Sequence, residues 1–199
     1  MSFQQELASW TPPAALPLLP APKIGRKAYS HKKLLIPSLD GNPIIVSFLR
    51  HCGCPFAEKT AKDLDRFSTQ YPNITFIVVS HSSRLATENW TRAIGGIENI
   101  TVIVDEEREL YASWGLGIAS IWHVLNPWSL WNLWQIGKTE NIWNRPTESG
   151  NRWQLSGSWA IDEAGIVRWG GVAKSADDIP DFEEAAKLLD NRKVERDEY

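Results

Sequence analysis

The chain changes from an apolar run to a predicted helix within residues 44–56, which read Ile44-Ile45-Val46-Ser47-Phe48-Leu49-Arg50-His51-Cys52-Gly53-Cys54-Pro55-Phe56. Residues 44–49 have the short, continuous apolar pattern of a buried strand. Pro55 suits the first position of a helix, where a missing N–H costs nothing, so Cys54 is predicted at or near the N-cap. Unpaired amides and the positive end of the helix dipole favour a thiolate there. The sequence therefore predicts an activated cysteine.

Strand and helix patterns alternate along the rest of the chain. Strands are predicted at 44–49, 74–79 and 100–104, followed by a hairpin of 158–161 and 166–169. Helices are predicted at 55–70, from Ser82 or Ser83 to about 94, from an Asp105 cap to about 114, and at 179–192. Parallel strands need crossover helices and both sheet faces must be covered, so we expect an α/β fold, a three-layer α/β/α sandwich with a central mixed sheet. Reactive groups of such sheets lie beyond the carboxyl ends of strands, which is where Cys54 falls.

The predicted domain organisation is a single core with two appended ends. Five prolines lie between Trp10 and Pro22, so residues 1–22 are predicted to be an extended arm, which could instead wrap against the core. Residues 23–190 form the domain, with a Trp-rich helical insertion at about 116–150 before the C-terminal hairpin. Residues 191–199 are predicted to be a charged tail.

Composition excludes several classes of function. The net charge is −3 and no basic stripe is present, which argues against a nucleic-acid partner. The first six residues lack the pattern of a secretory signal, and with two cysteines the cytoplasm is the expected location. No Asp, Glu, Lys or Arg occurs from Leu110 to Gly137, but Pro127 and several polar residues interrupt this stretch. We therefore expect no membrane span, and an interfacial helix would carry basic residues that are missing here.

Tryptophan is the second unusual feature, with eleven in the chain. Five of them fall in the insertion: Trp122, Trp128, Trp131, Trp134 and Trp143. The helical spacing of Trp128, Leu130, Trp131 and Leu133 is typical of a cover packed over the sheet. Alternatively, Trp128 and Trp131 line a pocket beside Cys54 that receives an apolar or aromatic substrate.

The segment from Ile44 to Thr60, with the Asp40-Gly41 turn and residues 157–167, resembles the thioredoxin-fold AhpC/TSA antioxidant group, and within it the peroxiredoxin-like 2 branch. That branch has a strand with phenylalanine and arginine running into Gly-Cys-Pro-Phe-Cys, similar to residues 48–57 here. The resemblance implies a thioredoxin-like fold and a redox-active cysteine. Two positions depart from it. Ala57 replaces the second branch cysteine, and His51 stands where ordinary peroxiredoxins have a threonine.

The candidate site residues come partly from the local pattern and partly from the resemblance. Cys54 is the candidate catalytic thiolate, and His51 and Arg50 are equal candidate helpers, His51 by lending positive charge or a proton. The active-site arginine of peroxiredoxins has its candidate counterpart in Arg152 or Arg145. The residues expected to contact substrate are Pro55, Phe56, Trp128, Trp131 and Arg152.

The cysteine pair admits several interpretations. Oxidation of Cys54 to a sulfenate could be resolved by Cys52, since Gly53 permits a small and strained disulfide ring. The cysteines could instead be inert, buried apolar residues. A metal site using His51 and His81 matches no usual ligand spacing.

We therefore expect a thiol-dependent oxidoreductase that reduces hydroperoxides, with Cys52 or an external thiol such as glutathione or thioredoxin as the resolving group. No phosphate loop, zinc helix or nucleophile elbow is present, so neither cofactor nor metal is expected. A homodimer is one alternative for the assembly. Two other functions stay open, namely a specialised transformation of a small apolar molecule in a Trp-lined pocket and a non-catalytic binding protein.

Overall fold

The structure, a computed structural model, describes residues 3–197. This part of the chain contains five strands and seven helices. In chain order they are α1 (Phe3–Ser9), β1 (Ile44–Phe48), α2 (Pro55–Ser68), β2 (Thr75–Ser80), α3 (Arg84–Ala93), β3 (Thr101–Val104), α4 (Glu109–Ser113), α5 (Ile121–Val124), α6 (Pro127–Glu140), β4 (Gly157–Ile161), β5 (Val167–Val172) and α7 (Phe182–Asp197).

The strands form one mixed sheet in the order β3-β2-β1-β4-β5. β1 pairs in parallel with β2, and β2 with β3, through helical crossovers. β4 is antiparallel to both β1 and β5, and β4 and β5 form the predicted hairpin. β1 is the middle strand and all five of its residues are buried, because helices cover both faces of the sheet. The predicted α/β class and mixed sheet are confirmed.

Alternation along β1 divides the core into two clusters. Ile45 packs with residues of α2, α3, α6 and α7, whereas Ile44, Val46 and Phe48 face α4 and the loop before β1, since successive strand residues point to opposite faces. On the α4 face, the Phe48 ring lies 5.1 Å from the rings of Tyr111 and Trp114. The three predicted layers are therefore present.

The N-terminal arm lies against the domain. Residues 12–22 form neither helix nor strand, and the amide of Leu19 donates to the Ala112 carbonyl in α4 at 3.1 Å. The buried Trp159 indole donates to the Pro22 carbonyl at 3.2 Å. The structure thus shows the alternative in which the arm wraps against the core. Helix α1 precedes residues 12–22. Residues 1–2 of the predicted arm lie outside the described residues.

Two predicted helix boundaries need correction. Asp105 is not the N-cap of α4, which begins four residues later; its carboxylate instead accepts from the amides of Leu110 and Tyr111 at 2.8 and 3.1 Å. The last helix begins at Phe182 and not at Ile179, because Asp181 accepts from the Glu184 amide at 2.9 Å, as an N-cap side chain does. α7 continues to Asp197 and so includes most of the predicted tail, whose last residues, 198–199, lie outside the described residues.

The insertion is helical, as predicted, and consists of α5 and α6. Among residues 3–197, no helix has both the length and the apolar character needed to cross a bilayer.

Candidate functional site

Cys54 occupies the N-cap of α2, as the sequence predicts. Its backbone is extended, with φ −77° and ψ 126°, and Pro55 takes the first helical position. Its amide donates to the His51 carbonyl at 3.1 Å and its carbonyl accepts from the Glu58 amide at 3.1 Å. The side chain makes no capping hydrogen bond. The sulfur therefore stays available to other groups at the positive end of the helix.

The group that reaches the Cys54 sulfur is the guanidinium of Arg50, with Nη1 lying 3.4 Å from Sγ. Nη2 donates to the Arg152 carbonyl at 2.7 Å. The Arg50 side chain is only 6% exposed, and among residues 3–197 no carboxylate forms an ion pair with it. Buried charges are normally paired, so the Cys54 sulfur is the contact atom that can carry the balancing negative charge.

A further polar atom of Arg50 is unpaired. Its Nε is buried and has no hydrogen-bond partner in the described part of the chain. A buried N–H without an acceptor is costly. Arg50 thus retains one hydrogen-bond donor without an acceptor in the described part of the chain.

Cys52 has a different environment from Cys54. Its Sγ lies 3.5 Å from the Ser80 hydroxyl and 3.9 Å from that of Thr87, on the β2–α3 side. Burial raises the pKa of the Cys52 thiol. Both cysteines are free thiols. The partner described for the Cys54 sulfur is Arg50, whereas the partners described for the Cys52 sulfur are Ser80 and Thr87. The two sulfurs therefore lie in separate polar environments, Cys54 beside a guanidinium and Cys52 beside two hydroxyls.

His51 is buried behind the cysteine loop. Burial, followed by the charges of Arg50 and Arg152, holds the pKa of His51 well below 6.5. Its Nδ1 lies 3.3 Å from the Thr147 hydroxyl. The expectation that His51 lends positive charge to the thiol is therefore wrong, because a histidine buried beside two guanidinium groups stays neutral at neutral pH.

The two arginines considered as counterparts of the peroxiredoxin arginine have other partners. The Arg152 guanidinium bonds to Glu6, the Ser9 hydroxyl and the Thr147 hydroxyl. Arg152 contributes to the cysteine site through its carbonyl, which positions Arg50.

Arg145 forms a two-point contact with Glu58, with distances of 2.7 and 3.3 Å. Sequence reasoning missed Glu58, which lies buried in the first turn of α2, although an acid at a helix start was visible in the sequence. It missed Glu6 as well, and no sequence signal would have linked a residue of α1 to this site.

Residues 145–152 form a covering segment over the cysteine loop. The Arg145 amide donates to the Gly53 carbonyl at 3.0 Å. Gly53 has φ +124°, and a Cβ there would lie 2.9 Å from the Arg145 carbonyl oxygen. α1 holds the segment from outside, since Glu6 also accepts from the Thr147 amide at 3.0 Å. Cys54, which follows Gly53, is 3% exposed.

A cavity of about 470 Å³ lies between α2, the β4–β5 hairpin and the loop before α7. Arg50 and Phe56 line it, whereas Trp128 and Trp131 do not. Those two rings are 75% and 53% exposed, because α6 turns Ile136 and Leu133 toward the core and the tryptophans outward. The prediction of a pocket lined by Trp128 and Trp131 is therefore wrong. The alternative prediction, that these two rings pack as a cover over the sheet, is wrong as well. Pro55 is buried at the start of α2 and does not line this cavity.

Comparisons with known proteins agree with this architecture. A crystal structure of a peroxiredoxin-like protein from Aquifex aeolicus superposes with a TM-score of 0.57 at 15% identity, covering 87% of this chain and 90% of that chain. A thiol peroxidase from Chromobacterium violaceum gives a TM-score of 0.54 at 17% identity, covering 87% and 89%. At these identities the likeness shows the fold. No curated protein matches the sequence.

A family profile described as AhpC/TSA antioxidant enzyme matches residues 59–175. The match begins beyond Cys54, so it does not depend on the cysteine loop. It covers more than half of the 199 residues, and its fold is the one described above. The chain therefore belongs to the AhpC/TSA antioxidant enzyme family.

Proposed function

We propose that the protein is a thiol-dependent peroxidase in which Cys54 is the reacting residue. The observation that carries the proposal is the contact between the Arg50 guanidinium and the Cys54 sulfur at 3.4 Å. A buried cation without a carboxylate partner, placed beside a sulfur at a helix N-terminus, stabilises the thiolate, which is the nucleophilic form. The family of antioxidant enzymes to which the chain belongs supports the same type of chemistry.

The proposed reaction begins with attack of the Cys54 thiolate on the terminal oxygen of a hydroperoxide, ROOH. A sulfur–oxygen bond forms and the oxygen–oxygen bond breaks. Cys54 becomes a sulfenic acid, oxidised by two electrons, and RO⁻ leaves and takes a proton from water to become ROH. Arg50 donates hydrogen bonds to the developing negative charge on the leaving oxygen through the Nε–H that lacks a partner.

Reduction of the sulfenic acid is assigned to an external thiol, such as glutathione or thioredoxin. The first thiol forms a mixed disulfide with Cys54 and releases water, and a second thiol releases the Cys54 thiolate and leaves as the disulfide. Cys52 is a weaker candidate because its thiol contacts Ser80 and Thr87 and its pKa is raised. A reducing compartment such as the cytoplasm would supply these thiols.

The test is peroxide consumption by the wild type, Cys54→Ser and Cys52→Ser, each with glutathione and with a thioredoxin system. We expect turnover by the wild type and by Cys52→Ser, and none by Cys54→Ser. Intact-mass measurement after one equivalent of peroxide should show a sulfenic acid, trapped by dimedone, on Cys54. Equal background rates for all three proteins would instead favour a non-catalytic binding protein. Loss of turnover in Cys52→Ser alone would assign the resolving step to Cys52.

A further inference from the structure

We propose that the exposed side of α5 and α6 is the contact surface between two copies of this chain in a symmetric dimer. This inference goes beyond the proposed reaction and does not depend on it. We call the surface the tryptophan face. It consists of six apolar residues, each at least 45% exposed: Ile121, Trp122, Trp128, Leu130, Trp131 and Trp134.

The orientation of α6 is fixed by contacts on its inner side. Leu133 and Ile136 pack with the core cluster that includes β1 and α2 residues. The Asp177 carboxylate accepts hydrogen bonds from the Ser129 hydroxyl and, at 2.6 Å, from the Asn132 amide. At 100° per residue, the four outward residues of α6 then fall within an arc of about 160°. They therefore form one face of a helix that is anchored on its other side.

The tryptophan face is as large as one half of a stable protein contact. A tryptophan side chain has roughly 250 Å² of surface, so the four tryptophans, which are 45–75% exposed, leave about 600 Å² open. Ile121 and Leu130 are more than half exposed and add to this area. The largest apolar patch of a typical monomer covers about 300–600 Å², and a stable interface buries about 800 Å² on each partner. The face together with its rim reaches the area that a dimer needs.

The composition of the face matches the core of an interface between subunits. Such cores are rich in aromatic residues and poor in charged ones. No Asp, Glu, Lys or Arg occurs from Leu110 to Gly137. The rings of Trp131 and Trp134 lie 5.2 Å apart and form one continuous aromatic surface.

The distribution of charge favours a second copy as the occupant. A two-fold contact brings the same surface together from both sides, so a charge at its centre would meet a like charge, which is costly. The nearest charge on α6, Lys138, lies at the end of the face, with its ammonium 5.8 Å from the Trp134 ring centre. In an antiparallel contact centred on Trp131, the two Lys138 residues would lie about 20 Å apart along the helices. At physiological salt this distance exceeds the range of their repulsion.

The same charges argue against a membrane surface as the occupant. Helices that lie on membranes carry several Lys or Arg residues beside the apolar face. Lys138 is the only basic residue of α6.

The first test is the mass of the protein in solution, measured by sedimentation velocity over a range of concentrations. We expect a wild-type dimer with a dissociation constant of about 10 µM or below. Leu130→Glu places two carboxylates in the contact and should raise this constant at least about tenfold. Leu85→Glu makes the same change at an exposed position of α3 and should leave the constant unchanged. Both sites are exposed, so thermal unfolding of the two variants should resemble that of the wild type.

The second test asks whether the contact is two-fold. Trp131→Glu and Trp131→Lys should each be monomeric, and an equimolar mixture should dimerise because opposite charges then face each other. A wild-type chain that stays monomeric at about 100 µM, tenfold above the expected constant, would overturn the proposal, and so would a dimer that Leu130→Glu leaves intact. A mixture of the Trp131 variants that stays monomeric would overturn the two-fold contact. Binding of a monomeric wild type to phosphatidylcholine vesicles would assign the face to a membrane instead. None of these measurements depends on peroxide turnover.

Discussion

Replacement of Arg50 by methionine is the sharpest test of the charge arrangement at Cys54. The substitution keeps an unbranched side chain of similar length but removes the guanidinium that lies 3.4 Å from the sulfur. Removing Arg50 leaves no buried charge without a partner, because the sulfur that it contacts can bind a proton and become a neutral thiol. The variant should therefore fold, and its defect should be confined to the reactivity of Cys54.

The size of the effect follows from the contact that is lost. A hydrogen bond to a charged group contributes about 1.5–3 kcal/mol. At 1.36 kcal/mol per tenfold change in rate, this corresponds to a roughly 10- to 150-fold slower reaction. The assay is alkylation by iodoacetamide at pH 7 in a Cys52→Ser background, where Cys54 is the only thiol of the chain. The rates of variant and parent should converge at strongly alkaline pH, where accessible thiols are ionised in any case.

The control is Arg66→Met, which removes the same charge from the exposed last turn of α2 and should leave the alkylation rate unchanged. Thermal unfolding establishes that each variant is folded. A folded Arg50→Met protein that reacts within about threefold of its parent at pH 7 would refute the reasoning, because the guanidinium would then not stabilise the charge on the sulfur.

Three other changes test the surroundings of the site. Gly53→Ala should lower the free energy of unfolding by about 1–3 kcal/mol, since its φ is +124° and its Cβ would meet a carbonyl oxygen at 2.9 Å; an unchanged denaturant midpoint would contradict this. Arg145→Met removes one of the two cations paired with the buried Glu58, the other being Lys62, and loosens the covering segment. Alkylation of Cys54 should therefore become faster, and an equal or slower rate would show that the segment does not limit access. Burial lowers the pKa of His81 from 6.5 to about 4. The unfolded state therefore takes up the proton first, and the free energy of unfolding should fall as the pH drops from 6.5 to 4, by at most about 3 kcal/mol. His81→Gln should show a shallower pH dependence in denaturant titrations, and an unchanged slope would exclude His81 as its source.

Local patterns were sufficient to predict the fold and the position of Cys54. The apolar run of β1, the proline after Cys54 and the turn before β5 act over a few residues each, so they can be recognised without tertiary contacts. Two local predictions failed because a short pattern allowed more than one arrangement. Asp105 bonds to amides five and six residues onward, and the tryptophans of α6 face outward although their spacing is typical of a core.

The sequence by itself determined the order of strands and helices and a cysteine at the start of α2, because both follow from hydrophobic periodicity and helix-end chemistry within short windows. Only the tertiary structure decided which cation meets that cysteine, since Arg50 is held by the carbonyl of a residue 102 positions away. The cavity also depends on the tertiary structure. Three small residues that line it, Ser47, Ser158 and Gly171, become neighbours only when β1, β4 and β5 pair in register.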